Sequence, residues 1–245
     1  MRNFLTRNKI YFETCVSVLL AAMAIIVSIN ANYIASAQLS LANDAQRIAT
    51  IPYLPNIKAR IKYLSSEGGA RKERMEITNS GDTMYELHAD PIAFLELREW
   101  QIVPMNATFD QTVHLRKALA PVESYFPSVT WVDGDGKDLL LSQDIANTNL
   151  MDDRLDAFSK KYHSDKKIVT GRIKKYVAVS YIDRFKTEHV DYFEFVSTGE
   201  GVLMDSTEGN EIFSRHDELR RSKDKLSYTN SSPDDIDRLW IKLRK

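Results

Sequence analysis

The first feature of the chain is a run without alternation. Residues 15 to 29, CVSVLLAAMAIIVSI, are almost purely apolar, and no Asp, Glu, Lys, Arg or His lies between Glu13 and Asp44. A bilayer core of about 30 Å is crossed by about 20 helical residues, because a backbone in lipid must satisfy its own hydrogen bonds. Residues 12 to about 34 fit that length, with Tyr11, Phe12 and Tyr33 at its ends, where amphipathic rings favour the interface. Beyond it, Ile34, Leu41 and Ile48 recur every seven residues with Ala37 and Ala45 between them. Gln38, Asn43, Asp44, Gln46 and Arg47 take other faces, so the pattern predicts that the helix continues as a stalk to about Thr50. That stripe also offers a seam to a second copy, which makes a homo-oligomer an expectation.

Pro52 and Pro55 end the helix, since proline lacks an amide hydrogen and drives its predecessor into extended geometry. The period then changes to two. Ile57, Ala59, Ile61 and Tyr63 alternate with Lys58, Arg60 and Lys62, the pattern of a half-buried strand. The loop SSEGGARKE follows, then RMEIT, the turn NSGD, and TMYELHAD, with IAFLEL after Pro91. A meander is predicted, with Gly81 supplying a positive φ in its turn. Pro104, Pro121 and Pro127 interrupt residues 100 to 129, which read as edge strands or loops. VTWVDGDGKDLLL reads as strand, turn and strand with Gly134 and Gly136 in the reversal.

Helical spacing returns in NLMDDRLDAFSKKYH at Met151, Leu155, Phe158 and Tyr162, with acids at the start and Lys160 and Lys161 at the end, as the helix dipole favours. KKYVAVSYIDRFKTEHVDYFEFV is the clearest hairpin: Val177, Val179 and Tyr181 share a face, and Val190, Tyr192, Glu194 and Val196 alternate with Phe193 and Phe195. EIFSRHDELRRSKDKL reads as a surface helix. In SSPDDIDRLWIKLRK, Ser232 caps, Pro233 takes the first position, and Ile236, Leu239, Trp240 and Leu243 form an apolar stripe. That stripe docks on the body or, with Lys242 and Arg244, turns Trp240 toward a membrane or partner.

The resulting fold class is α+β. A basic tail (1–10) precedes the transmembrane helix and stalk (11–50), then a mainly antiparallel β-sandwich (51–204) with a helix inserted near 148–163, then carboxyl-terminal helices (205–245). This order of parts, with ITNSGDTMYEL and SYIDRFKTEHVDYF in the body, resembles a broad class of uncharacterised bacterial single-span membrane proteins with a β-sandwich body. In that class the late hairpin commonly carries Tyr-x-Asp followed by glycine. This chain has Tyr181 and Asp183, with Lys186 near the place of the glycine.

Charge and chemistry narrow the function less than the span does. The 33 basic and 34 acidic residues lack the positive excess that gives duplex binders their non-specific affinity, so nucleic acid is not an expected partner. Cys15, the one cysteine, lies inside the apolar run, leaving the body without disulfides or thiolate metal sites. No cofactor is expected. Asp133, Asp135 and Asp138 are the nearest approach to a metal loop, but Lys137 occupies the third alternating ligand place, and Asp-Gly turns need no ion. His88, His114, His163, His189 and His216 are scattered. Asp183, His189 and Asp191 share the late hairpin without an accompanying nucleophile.

The expected function is therefore a membrane-anchored, non-enzymatic interaction or structural module that binds the bilayer and a protein partner. One alternative is a membrane-associated toxin-like effector or hydrolase. Another is a protein secreted after cleavage near Ala37, where Ala35, Ser36 and Ala37 form a small-x-small site behind a basic, then apolar, leader. For a retained span in a cell (inner) membrane, Arg2, Arg7 and Lys9 favour a cytoplasmic amino terminus and an exported body, with a cytoplasmic body as the alternative.

Overall fold

The computed structural model describes residues 9–65, 71–106, 109–126, 138–145, 149–164, 166–222 and 224–243. The chain divides into two compact units, Met1–Pro52 and Tyr53–Lys245. Nearly all of the described part of the first is one helix, α1 (Lys9–Thr50), of 42 residues, followed by a short 3-10 turn at Ile51–Tyr53. It runs without a break through Ala35 to Ala37, as the spacing of Ile34, Leu41 and Ile48 predicts. Its apolar side chains, among them Leu20, Ile25 and Leu41, are exposed.

The second unit is rich in sheet. Its strands are β1 (Ile57–Ser65), β2 (Arg71–Asn79), β3 (Met84–Asn106), β4 (Phe109–Glu123), β5 (Asp138–Ile145), β6 (Lys167–Asp183), β7 (Glu188–Phe195), β8 (Gly201–Leu203) and β9 (Leu226–Ser227). Helices α2 (Asn149–Tyr162), α3 (Ser206–Arg221) and α4 (Pro233–Leu243) complete it. The strands form two sheets, ordered β1-β2-β5 and β8-β7-β6-β3-β4-β9, antiparallel except for the β4–β9 pair. Both contribute to one core. Ile57, Ala59, Ile61, Met75 and Ile77 of the small sheet share it with Leu95, Leu97, Val177, Val179, Phe193 and Phe195 of the large one. The fold is thus α+β with two mainly antiparallel sheets, as predicted.

Helices close the layers. Met151, Leu155 and Phe158 of α2 and Ile236, Leu239 and Trp240 of α4 belong to the shared core. On the opposite face of the large sheet, Ile212, Phe213 and Leu219 of α3 pack on Ile92, Phe94 and Tyr176. Pro233 takes the first position of α4 as predicted, but at Ser232 the capping runs the other way, with Asp235 accepting from both its amide and its hydroxyl at 2.7 and 2.8 Å.

Four predicted features come out differently. First, NSGD does not close a hairpin: β2 pairs with β1 and β5, whereas β3 pairs with β4 and β6, so the turn passes the chain between sheets. Gly81 is needed there for close approach rather than positive φ, since a Cβ would press on the Leu54–Asn56 backbone. Second, residues 100–106 and 109–123 are not short edge pieces but the arms of a long β3–β4 ladder. Pro91 is tolerated inside β3 because pairing with β4 begins only at Phe94, so the missing amide hydrogen falls where the strand has one neighbour, not two. Third, TMYELHAD and IAFLEL are one strand, with an irregularity between Tyr85 and His88 and a left-handed Glu86 (φ 51°). Fourth, the helix read through EIFSRHDELRRSKDKL stops at Arg221, and Leu226 pairs with Val122 instead.

The two sheets also meet at an edge. Gly199, in the turn after β7, accepts a 2.6 Å hydrogen bond from the amide of Ile61 in β1, and Arg60 bridges Glu200. Gly199 has φ +89°, and a Cβ there would run into the carbonyl oxygen of Ile61. Gly199→Ala is expected to lower stability by about 2 kcal/mol or more, from strain and steric overlap together. Denaturant unfolding checks this; an unchanged midpoint would show that the contact between sheet edges contributes little.

Candidate functional site

A cleft of about 860 Å³ is lined by residues of α2, β6 and β7. Its position follows from alternation. Lys175 shares the inward face of β6 with Val177, Val179 and Tyr181, and Glu73 shares the inward face of β2 with Met75 and Ile77. Continuing each apolar face therefore brings one acid and one base to the same interior. Lys175 Nζ lies 2.6 Å from Glu73 Oε2, and Tyr125 Oη donates to the same oxygen at 3.0 Å. The ammonium also sits 5.6 Å from the Tyr125 ring centre, which stacks edge-on with Tyr228 at 4.9 Å.

Burial and then the neighbouring Glu73 carboxylate push the Tyr125 phenol well above its usual range, and the same causes raise Tyr228 to about 12. Both phenols stay protonated, and Tyr125 acts as a hydrogen-bond donor to Glu73. Around this buried triad the rim is mixed: Asp152, Asp156 and Ser159 from α2, Tyr63 from β1, and Glu194 and Ser197 from β7 and its turn. The described lining contains neither histidine nor cysteine. What the arrangement offers chemically is a polar, aromatic surface that contains the Glu73–Lys175 ion pair.

The late hairpin brings the three predicted residues together. His189 Nε2 lies 2.8 Å from Asp183 Oδ2, and the ring stacks on Tyr181 at 5.1 Å. Tyr181 in turn donates to Asp191 at 3.0 Å. Asp183 is buried, and its other oxygen accepts from the amides of Phe185 and Thr187 at 2.8 and 2.9 Å. Burial would raise its pKa, but the His189 contact and the two amides outweigh it and hold Asp183 below the usual carboxylate range. Both oxygens are committed to shaping the turn. Lys186 sits in the left-handed region (φ 63°), the conformation a glycine would adopt without strain at that place. The group is a turn clasp. Asp191, by contrast, is raised by burial, with Tyr181 and His189 opposing.

The remaining sequence candidates separate. Trp240 is 1% exposed and meets Phe158 edge-on at 6.4 Å, so its ring is inside the core rather than presented to a membrane or partner. Burying the whole apolar stripe of α4 outweighs what one exposed indole would gain at an interface. Lys242 is exposed and paired with Asp224, while Arg244 lies outside the described residues. Ile34, Leu41 and Ile48 are exposed on α1, where Ile34 and Leu41 line a shallow apolar groove with Ala37 and Ala45. Asp133 and Asp135 lie outside the described residues, and Asp138 opens β5 opposite Asn79. No group of three or more potential metal ligands occurs among the described residues.

Glu73, Tyr125 and Lys175 were not singled out by sequence motifs. A usable signal existed: Lys175 and Glu73 each occupy a core-facing position in an otherwise apolar alternation, and opposite charges in such places need each other. Compared with known proteins, the chain matches no family model, no curated protein and no solved structure. What identifies it is its own architecture, one long apolar amino-terminal helix followed by a sheet-rich body.

Proposed function

We propose that this chain is a single-pass membrane protein whose body is a non-enzymatic binding module for a protein partner. The observation that carries the reading is α1: a 42-residue helix with a strongly apolar stretch, none of it buried within protein. Exposed apolar surface of that extent is stable in lipid and costly in water. In this reading residues 12 to about 34 cross the membrane and the remainder of α1 is the stalk. The cleft at Lys175 is the recognition surface, because it joins the Glu73–Lys175 ion pair to the rings of Tyr125 and Tyr228 within a polar rim. The likeness to bacterial single-span proteins supports an inner-membrane setting, and Arg2, Arg7 and Lys9 support a cytoplasmic amino terminus with the body exported.

The test is a pair of fusions at the carboxyl end of the full chain in a bacterial host, one to alkaline phosphatase and one to a fluorescent protein that folds only in the cytoplasm. An active phosphatase with a dark fluorescent fusion, both retained in alkali-washed membranes, is the expected result. A bright fluorescent fusion would reverse the orientation. Soluble protein whose amino terminus begins after Ala37 would replace the anchor with secretion.

A further inference from the structure

The face of the large sheet that carries α3 is covered only in part. Ile92 and Phe94 lie beneath the helix, but the same face of β3 continues into Glu96, Arg98 and Trp100. Across the ladders Glu96 faces Arg172 of β6, and Arg98 faces Lys117 of β4. Glu96 is fully buried, under cations rather than under apolar groups. Arg172 Nε is 2.7 Å from Oε1, Arg98 Nε is 2.8 Å from the same oxygen, and Lys117 Nζ is 3.0 Å from Oε2. Three cations meet one carboxylate, which leaves an excess of two positive charges.

That excess is at the surface. Side-chain exposure is 27% for Arg98, 41% for Lys117 and 56% for Arg172. Two of the cations, Arg98 and Lys117, stand directly opposite each other in the ladder, a pairing that repels. The site is also held in shape. Arg98 lies over the Trp100 ring at 5.9 Å, and Trp100 Nε1 donates to Thr170 Oγ1 at 3.2 Å. His114 packs edge-on against the same indole at 5.1 Å. The nearby cation Lys174 is paired with Glu194 at 2.5 Å and does not add to the excess.

We propose that Arg98, Lys117 and Arg172, fixed around Glu96, form a binding site for a doubly charged phosphate group. Charge matching selects this ligand: one carboxylate neutralises half of the excess, whereas a phosphomonoester carries close to two negative charges at neutral pH. Two guanidiniums and an ammonium also supply donors suited to several phosphate oxygens. Trp100 gives the attached organic portion an aromatic surface beside the charge. The phosphate can belong to a soluble phosphomonoester or to a lipid headgroup; Arg172 also borders the cleft, whereas Arg98, Lys117 and Glu96 are not among its described lining residues.

The test uses the full chain in micelles of a neutral detergent, titrated calorimetrically with glycerol phosphate at low salt. A parallel arm places it in phosphatidylcholine nanodiscs with and without phosphatidic acid, followed by the phosphorus resonance of the headgroup. Binding at or below about 1 mM is expected. Arg172→Gln and Lys117→Gln should each weaken it about tenfold, while Lys160→Gln on α2 leaves it unchanged. Each variant keeps two cations on Glu96, and thermal melts confirm the fold. Binding confined to the soluble arm assigns a soluble phosphomonoester; binding confined to nanodiscs containing phosphatidic acid assigns a lipid headgroup. No binding in either arm, or binding as tight as wild type by Arg172→Gln and Lys117→Gln, overturns the proposal.

Discussion

Leu20→Arg combined with Ile25→Arg is expected to release the full chain from alkali-washed membranes into the soluble or aggregated fraction. Both positions lie near the middle of the proposed span, and both side chains are exposed on α1. An arginine at the centre of a membrane helix costs about 2.5 to 3.5 kcal/mol on insertion scales, so two cost about 5 to 7 kcal/mol. The flanking aromatics cannot offset this, because their preference is for the interfaces. The same double change has little reason to disturb the sheets, which lie in the other compact unit. Membrane fractionation reads the first effect, and limited proteolysis of the body reads the second. A variant that stays in the membrane pellet after alkali would sink the single-span reading.

Glu96→Gln is expected to destabilise the body by about 3 kcal/mol at pH 7, the low end for breaking a buried ion pair from one side. The amide preserves the shape but leaves Arg98, Lys117 and Arg172 converging without a countercharge. The pH dependence separates this from a packing defect. Burial alone would raise the pKa of Glu96, but the contacts with the cations Arg98, Lys117 and Arg172 outweigh it and hold the carboxyl at about 2. In the unfolded chain it titrates near 4.5. A carboxyl lowered on folding binds its proton more readily when unfolded, so its contribution is complete above pH 4.5 and fades as the pH falls toward 2. Thermal melts should therefore show the wild type losing its advantage over Glu96→Gln between those values. Parallel curves from pH 7 to pH 3 would mean that the cations are held by other contacts.

Much of the fold was legible because local periods report local geometry. Ile57, Ala59 and Ile61 are buried as their alternation required, and Val177, Val179, Phe193 and Phe195 are buried in the late hairpin. Met151, Leu155 and Phe158 place α2 on the core by the same logic at helical spacing. Misreadings occurred where a local signal had two structural solutions. NSGD is a turn either way, but whether it joins neighbours in one sheet or carries the chain to another depends on partners far along the sequence. Pro91 and Pro104 suggested broken strands because proline is normally excluded from a ladder. Their tolerance depends on where each neighbouring strand begins and ends.

The candidate sites divide along the same line. The Asp183, His189 and Asp191 group was visible because a hairpin brings near neighbours together, and the structure uses Asp183 and His189 to brace the turn. Trp240 looked equally suited to core and surface, since an apolar helical stripe does not state what it packs against.

By itself the sequence determined the long apolar helix, the alternation of the main strands and the start of α4, because each rests on side chains within a few residues of one another. Only the tertiary structure decided that Glu73 meets Lys175 across 102 residues, that Arg172 meets Glu96 across 76, and that β2 and β3 part into different sheets. Those outcomes depend on strand pairing and register, which place distant charges in one buried volume where each is stable only with the other.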